Sequence, residues 1–356
     1  MTPAERIARP ATMGRGTAGP AWPMVSVLIS TKDRRADLAR ALASLRAQEY
    51  PRERVQMVVV EETDAPAPPP DVLYVPIPRE GRGFGYTRAV ALRHARGDIV
   101  AFTDDDCVVT PSWLRELVTP FLDDPAVLGV AGAVRVKDAN TVGICENVLG
   151  FPGGGLSYLT RAGGRVVDTV HLSTCNCAYR TEVLGAVGGF PEVAPFSGED
   201  YLVGRRVSRL GRCVYAPRAV VFHKPRGTLG AVLRWFVRRG RQEVWLLRHH
   251  PDVFELGACD LIRTSLVVRV TGALALGGLL GIPTLATLGA LLLAYGVAQN
   301  VRYRFAWRYH RTAWLPVVLP ATKLAMGVGG EVGRWIEALG WAREVGSKRR
   351  PVGARR

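Results

Sequence analysis

Through Pro23 the chain lacks the apolar core of a secretory signal; this stretch is polar and rich in glycine, proline and alanine, and residues 1–23 read as a disordered leader. It also lacks metal-type cysteine pairs. Of its 6 cysteines (Cys107, Cys145, Cys175, Cys177, Cys213 and Cys259), only Cys175-x-Cys177 is close, and without a second pair it reads as packing rather than zinc ligation. No G-x-x-x-x-G-K-S/T run occurs, and Gly81-x-Gly83-x-Gly85 does not have the G-x-G-x-x-G spacing, so neither common phosphate cradle is present. The first 223 residues carry little net charge, which excludes a uniformly basic nucleic-acid binder; no nucleic-acid partner is expected.

The net charge of +16 is concentrated elsewhere. Lys224 to His250 holds seven basic residues against one acid, and Val301 to Arg356 twelve against three. These basic stretches flank Val270 to Val301, 32 residues without a charge. As one helix that run would measure roughly 48 Å at 1.5 Å per residue, longer than a bilayer core of about 30 Å. Pro283, preceded by Gly277, Gly278 and Gly281, offers a break, giving a hairpin of Leu261 to Ile282 and Thr284 to Val301. Arg263 and Arg269 weaken the first arm as a span, and Lys323 with its neighbouring prolines and glycines does the same for Ala313 to Val328. Buried soluble helices are the competing reading. The positive-inside rule places both basic flanks, and with them the N-terminal domain, on the cytoplasmic face of a cell membrane. Between Thr228 and Leu247, apolar residues recur at helical spacing with Arg234, Arg238 and Arg241 toward another face, as in an interfacial helix or a helix packed on protein.

Upstream, short apolar runs at Val25 to Ser30, Val55 to Val60, Val72 to Ile77 and Ile99 to Thr103 alternate with helical patterns at Asp37 to Gln48 and Gly85 to Ala95. That alternation predicts an α/β fold with a parallel sheet and covering helices. Its strand ends deliver Ser30-Thr31, Glu61-Glu62, Arg79 to Arg82 and Asp104-Asp105-Asp106 to one edge, where open α/β sheets bind ligands. Three adjacent carboxylates repel one another; they suit either a solvated acidic turn or a hard divalent cation that also holds a diphosphate. The glycine-rich Gly81 to Gly85 stretch is a mobile connector or, with Arg82 and Arg88 beside it, a loop for phosphate or ribose oxygens. Gly198-Glu199-Asp200 opens a further helix. Acids are common in a first turn for dipole reasons, but one there can also be aimed into a cleft as a general base. His223, after a strand-like Cys213 to Phe222, is either structural or a neutral nitrogen ligand for the same metal.

The ordered set Val25 to Asp33, Val58 to Asp64, Gly85 to Asp106 followed by Trp113-Leu114, Asn176 to Phe190 and Gly198 to Arg206 resembles a family 2 glycosyltransferase of the GT-A fold, over roughly residues 24 to 250. The resemblance implies a catalytic domain at 24–227; the charge and hydropathy pattern adds an amphipathic interfacial region at 228–256, a transmembrane hairpin or membrane-embedded segment at 257–301, and a basic cytoplasmic tail at 302–356 with room for a further membrane-associated helix. It implies that Asp106 binds Mg²⁺ or Mn²⁺, to which the residue pattern adds His223 as a candidate ligand, and that Asp104 faces the nucleotide. Asp200 would be the catalytic base and Glu199 a supporting acid. Thr31, Glu61, Glu62 and Arg88 would line the nucleotide pocket, and Asn176 and Gly189 would border the donor sugar and acceptor. Two departures stand out: Glu61-Glu62 where Asp-Asp or Asp-Asn is usual, and Arg88-Ala89 where Arg-Asn is common.

The implied reaction is a single, inverting displacement. One sugar would pass from a UDP- or GDP-sugar to a hydroxyl of a lipid-linked or envelope acceptor, because one base without a second nucleophilic carboxylate leaves no covalent intermediate. Two other readings are a sugar nucleotidyltransferase, which would want a phosphate-cradling loop where Ser30 to Arg34 stands, and a non-catalytic nucleotide-binding adaptor at the membrane, which leaves the two acidic clusters unexplained. Asp105 has no assigned role at this level.

Overall fold

The computed structural model describes residues 22–192, 196–254, 257, 260, 262–263 and 265–348. Most of the leader, Cys259 and the last eight residues of the tail lie outside the described residues. The chain divides into two compact units: residues up to Ala139 with Asn147–Pro225, and Asn140–Glu146 with the residues from Arg226 onward.

In the first unit the β-branched runs form strands β1 (Val25–Thr31), β2 (Val55–Glu62), β3 (Leu73–Ile77) and β4 (Ile99–Thr103). Helices α1 (Arg35–Arg46) and α2 (Phe84–Arg93) connect them as crossovers. Then follow β5 (Cys107–Val109), α3 (Trp113–Asp123), β6 (Val127–Arg135), α4 (Thr141–Val148), whose residues through Glu146 belong to the second unit, α5 (Gly155–Ala162) and β7 (Val167–Asp168). The series ends with β8 (Asn176–Arg180), α6 (Thr181–Ala186), α7 (Glu199–Leu210) and β9 (Arg212–His223). One sheet of nine strands results, in the order β3-β2-β1-β4-β8-β6-β9-β5, with β7 on β9. β1 to β4 pair in parallel, as do β6 and β9, whereas β8 runs antiparallel to both its neighbours.

Strands covered on both faces are largely apolar, and β1, β4 and β6 are buried along nearly their whole length with few polar interruptions such as Ser26 and Thr103. On one face Leu38, Leu42 and Leu45 of α1 pack with Trp113, Leu114 and Leu117 of α3. On the other, Ala89 and Val90 of α2, Leu184 of α6 and Val203 and Val207 of α7 cover Phe102 and Tyr179. Each such side chain, fully buried, stabilises the fold by about 1.5–3 kcal/mol, so the two layers hold the sheet's C-terminal edge firmly.

In the second unit, α8 (Leu229–His249) is capped by the Thr228 hydroxyl, which accepts from the Ala231 amide at 3.2 Å. Much of its apolar stripe is covered by protein: α8 packs along α11 (Leu315–Lys348). Their backbones touch. A Cβ on Gly333 would lie 2.0 Å from the Val237 carbonyl oxygen, and one on Gly240 2.1 Å from that of Gly330. Small residues at helical spacing permit this approach. The pairs Arg334–Glu243 at 2.9 Å and Arg241–Glu337 at 3.1 Å close the seam.

The apolar segment is two helices, α9 (Leu266–Leu279) and α10 (Thr284–Arg302), broken by Gly281 in the left-handed region and Pro283. Only α10, among the described residues, is long and apolar enough to cross a membrane; α9 is 14 residues, about 21 Å. Leu285, Leu292 and Leu293 of α10 are exposed. Downstream, over the stretch where Lys323 and its neighbouring prolines and glycines weaken a membrane span, α11 runs unbroken through Pro320. Pro320 has no N–H to give the carbonyl of Pro316 four residues back. The Asn300 side-chain amide donates to that carbonyl at 2.9 Å, which satisfies it from outside the helix.

Candidate active site

Five consecutive residues, Thr31 to Arg35, leave β1 at the sheet's C-terminal edge, and each holds a charged side chain there. The Thr31 hydroxyl donates to Asp105 at 2.8 Å, and Lys32 pairs with Glu62 at 2.7 Å. Asp33, in the left-handed region at φ 56°, pairs with Arg79. Arg34 reaches Asp105 at 3.1 Å and Asp106 at 2.8 Å, while Arg35 reaches Glu61 at 3.2 Å. Thr31, Glu61 and Glu62 are therefore brought to one edge, buried and already engaged. Asp105 is the most enclosed of its triplet. Burial pushes its carboxyl up to about 6, against the opposing pull of Thr31 and Arg34. Its role is to anchor the β1 loop to the end of β4.

Its two neighbours point elsewhere. Cys107 pairs with His223 in the antiparallel β5–β9 ladder, so Asp106, one residue earlier, meets the imidazole. His223 Nε2 lies 3.4 Å from Asp106 Oδ1, and the Lys224 amide donates to the Asp106 carbonyl at 3.1 Å. One ligand atom each from Asp104, Asp106 and His223 falls within 4.8 Å of the others. Two carboxylates and an imidazole at that separation fit a divalent cation such as Mn²⁺ or Mg²⁺. Asp104, read from sequence as a nucleotide contact, thus lies among the possible metal ligands.

Arg88 joins this cluster to the second acidic site. Its guanidinium is buried, donates to Glu199 and reaches Asp104 at 3.2 Å. Burial works against its charge, but Glu199 and Asp104 outweigh that and hold its pKa above the ordinary arginine value. Burial likewise raises the Glu199 carboxyl, and Arg88 opposes the shift. Arg88 is thus an internal tie between α2, α7 and the end of β4. Asp200 is less enclosed than Glu199. It accepts from the Ser173 hydroxyl at 3.3 Å and from the Tyr201 amide at 2.8 Å, which fixes the carboxylate at the start of α7. Gly198, at φ 100°, makes the turn that sets the pair there.

Asn176 and Gly189, expected from the resemblance to border the donor sugar and acceptor, both make bonds within the fold. Asn176 is buried; its amide donates to the carbonyls of Ala133 and Ala219 at 2.9 Å each and accepts from Trp113 Nε1 at 2.8 Å. Those two carbonyls lie where the β6–β9 register slips, between Gly132↔Ala216 and Ala133↔Val220, so the amide fills a break in the ladder. Gly188 and Gly189 end α6: the Gly189 amide donates to Leu184 at 2.8 Å and that of Gly188 to Gly185 at 3.1 Å, both glycines at positive φ. This double bond pattern caps a helix C-terminus. Cys175 and Cys177 are free and buried, and burial raises both thiols, which agrees with packing. Sequence reasoning missed Arg34, Asp105 and Ser173 as site-forming residues; the only signal for Arg34 was its place in the charged run after β1.

A mostly parallel sheet whose C-terminal edge carries a two-carboxylate, one-imidazole group opposite a second acid pair defines a GT-A-type glycosyltransferase. The profile described as "Glycosyltransferase like family 2" matches residues 22–241, and the chain belongs to that family. Among curated relatives, Glycosyltransferase AglE of Haloferax volcanii is 24% identical over 243 residues, 63% of this chain and 75% of that protein. The glucosyl-dolichyl phosphate glucuronosyltransferase of the same organism is 36% identical over 55 residues, 15% of this chain. Succinoglycan biosynthesis protein ExoM of Rhizobium meliloti is 34% identical over 97 residues, 24% of this chain. The matches span only 18% and 31% of the latter two proteins. In structure the chain is similar to the Pyrobaculum calidifontis mannosyltransferase PcManGT, with a TM-score of 0.54 at 21% identity and 92% of each chain covered.

Proposed function

We propose that the chain transfers one sugar from a UDP- or GDP-sugar, with inversion, to a hydroxyl of a lipid-linked or envelope acceptor at the cytoplasmic face of the cell membrane. The observation that carries this reading is the pairing, through Arg88, of the Asp104–Asp106–His223 group with Glu199–Asp200. Asp104, Asp106 and His223 would hold Mg²⁺ or Mn²⁺, which neutralises the departing diphosphate. PcManGT, the structural relative, was solved with GDP-mannose and Mn²⁺, which supports a nucleotide-sugar donor and a divalent ion here. Asp200, steered by Ser173, takes the proton of the acceptor hydroxyl as its oxygen bonds to the anomeric carbon. Glu199 balances Arg88 behind it. The dolichyl-phosphate relative and the exposed apolar surface of α10 support a membrane-proximal acceptor.

Asp200→Asn keeps the shape and removes the base, so transfer falls by about 10²–10⁴-fold. Calorimetry of the same variant should show donor binding largely intact. Full turnover by Asp200→Asn would exclude it as the base, and turnover undiminished by chelator would exclude the divalent ion. Carbonate extraction of membranes tests placement: release of the full chain into the soluble fraction would sink the embedded reading of α10.

A further inference from the structure

Arg34 occupies a carboxylate that the proposed function assigns to a metal. Its Nη1 atom lies 2.8 Å from Asp106 Oδ2 while His223 approaches Oδ1 of the same group, so the cation-binding aspartate is already neutralised by a side chain of this protein. Asp105, the other partner of Arg34, keeps the Thr31 hydroxyl without it. The two arginines at the aspartate row differ in freedom. Arg88 has a side chain 9% exposed and is fixed between Glu199 and Asp104. The Arg34 side chain is 51% exposed and hangs from a loop one residue past a left-handed turn. A guanidinium beside a divalent cation on one carboxylate is repelled, and it pairs well with a diphosphate, whose oxygens accept its fork of donors.

We infer that Arg34 is a transferable counter-cation: it neutralises Asp106 before the metal arrives, then turns onto the diphosphate oxygens of the nucleotide sugar once the metal holds that carboxylate. This rests on the metal-dependent donor reading above. It makes Arg34 a donor-binding residue that at the same time competes with the metal, so its removal should move the two affinities in opposite directions. A purely structural arginine would weaken both or neither.

The experiment is calorimetric titration of the full-length protein in detergent with MnCl₂ alone, then with GDP and with UDP at saturating Mn²⁺. It compares wild type with Arg34→Gln, Arg34→Ala and Arg34→Lys, and with Lys32→Gln as a control that removes one nearby charge. With Arg34→Gln and Arg34→Ala, Mn²⁺ should bind about two- to fivefold tighter, the worth of a half-exposed ion pair. The better-binding nucleotide should bind at least about tenfold weaker, the worth of a charge-assisted bond to phosphate. Arg34→Lys should fall between, and Lys32→Gln should leave Mn²⁺ affinity closer to wild type than either. Unchanged or weaker Mn²⁺ binding in Arg34→Gln and Arg34→Ala, with wild type binding normally, overturns the inference alone. So does unchanged nucleotide affinity. No Mn²⁺ binding by the wild type would overturn the metal-dependent reading and this inference with it.

Discussion

The two units hold themselves together by opposite means. At the sheet edge of the first, long charged side chains from one loop reach across to the ends of neighbouring strands, and the contacts are made at arm's length. Along the α8–α11 seam of the second, the absence of side chains does the work, and carbonyls meet glycine Cα atoms directly. The first kind of contact can be rearranged by a ligand; the second cannot be altered without pushing two backbones apart. Contacts at arm's length suit a site that accepts and releases charge, whereas the α8–α11 seam leaves no room for such rearrangement.

Substitutions at the tightest points of each unit would break this contrast most. Arg88→Met leaves Glu199 buried without its partner and should destabilise the fold by about 3–5 kcal/mol, measured by denaturant unfolding. Adding Glu199→Gln should recover part of that loss. If the double variant is no more stable than Arg88→Met, the tie is not electrostatic. In the second unit, Gly333→Leu should cost on the order of 3 kcal/mol or more, because the new side chain must fit where the Val237 carbonyl already stands. Mn²⁺ binding measured below the unfolding transition should survive it, whereas Arg88→Met should impair that binding. Loss of Mn²⁺ binding in Gly333→Leu would contradict the division of labour between rigid helices and responsive edge.

Smaller effects sharpen it. Asn176→Ala removes the amide that fills the β6–β9 slip and leaves the Trp113 indole N–H without its acceptor, a loss of about 1–3 kcal/mol per stranded group. Trp113 fluorescence should shift with it; an unchanged spectrum and unchanged stability would argue that the amide is not a brace. The smallest expected change is Asn300→Ala, about 1 kcal/mol, since one carbonyl beside Pro320 is left bare. A thermal scan that shows no loss would mean water already serves that carbonyl.

What could be read from the residues follows the same division. The strand ends were legible because apolar runs of strand length stop abruptly at charged or hydroxyl residues, and parallel connection brings those stops to one edge. Asp104 and Asp106 were found that way, and Glu199 and Asp200 as the acids that open a helix after a glycine turn. The meeting of His223 with Asp106 depends on the β5–β9 register, which spacing along the chain does not reveal. The inward turn of Arg88 depends on α7 lying against α2, and the bracing role of Asn176 on a slip between two other strands. In the second unit the amphipathic stripe of α8 was visible but not what would cover it, because the stripe looks the same against lipid and against a glycine-lined helix.

The loop after β1 also bears on the order in which the molecule assembles. Its bonds join residues 26 to 74 positions apart: Arg35 to Glu61 at the near end, Thr31 to Asp105 at the far end. Contacts of such separation pay the loop-closure entropy of every intervening element, so they form only after β2 and β4 have docked on β1. A nascent chain that has synthesised β1 and α1 carries this charged run with none of its partners. The charged edge is thus among the last features of the first unit to be completed, after the β1 ladder on which it depends.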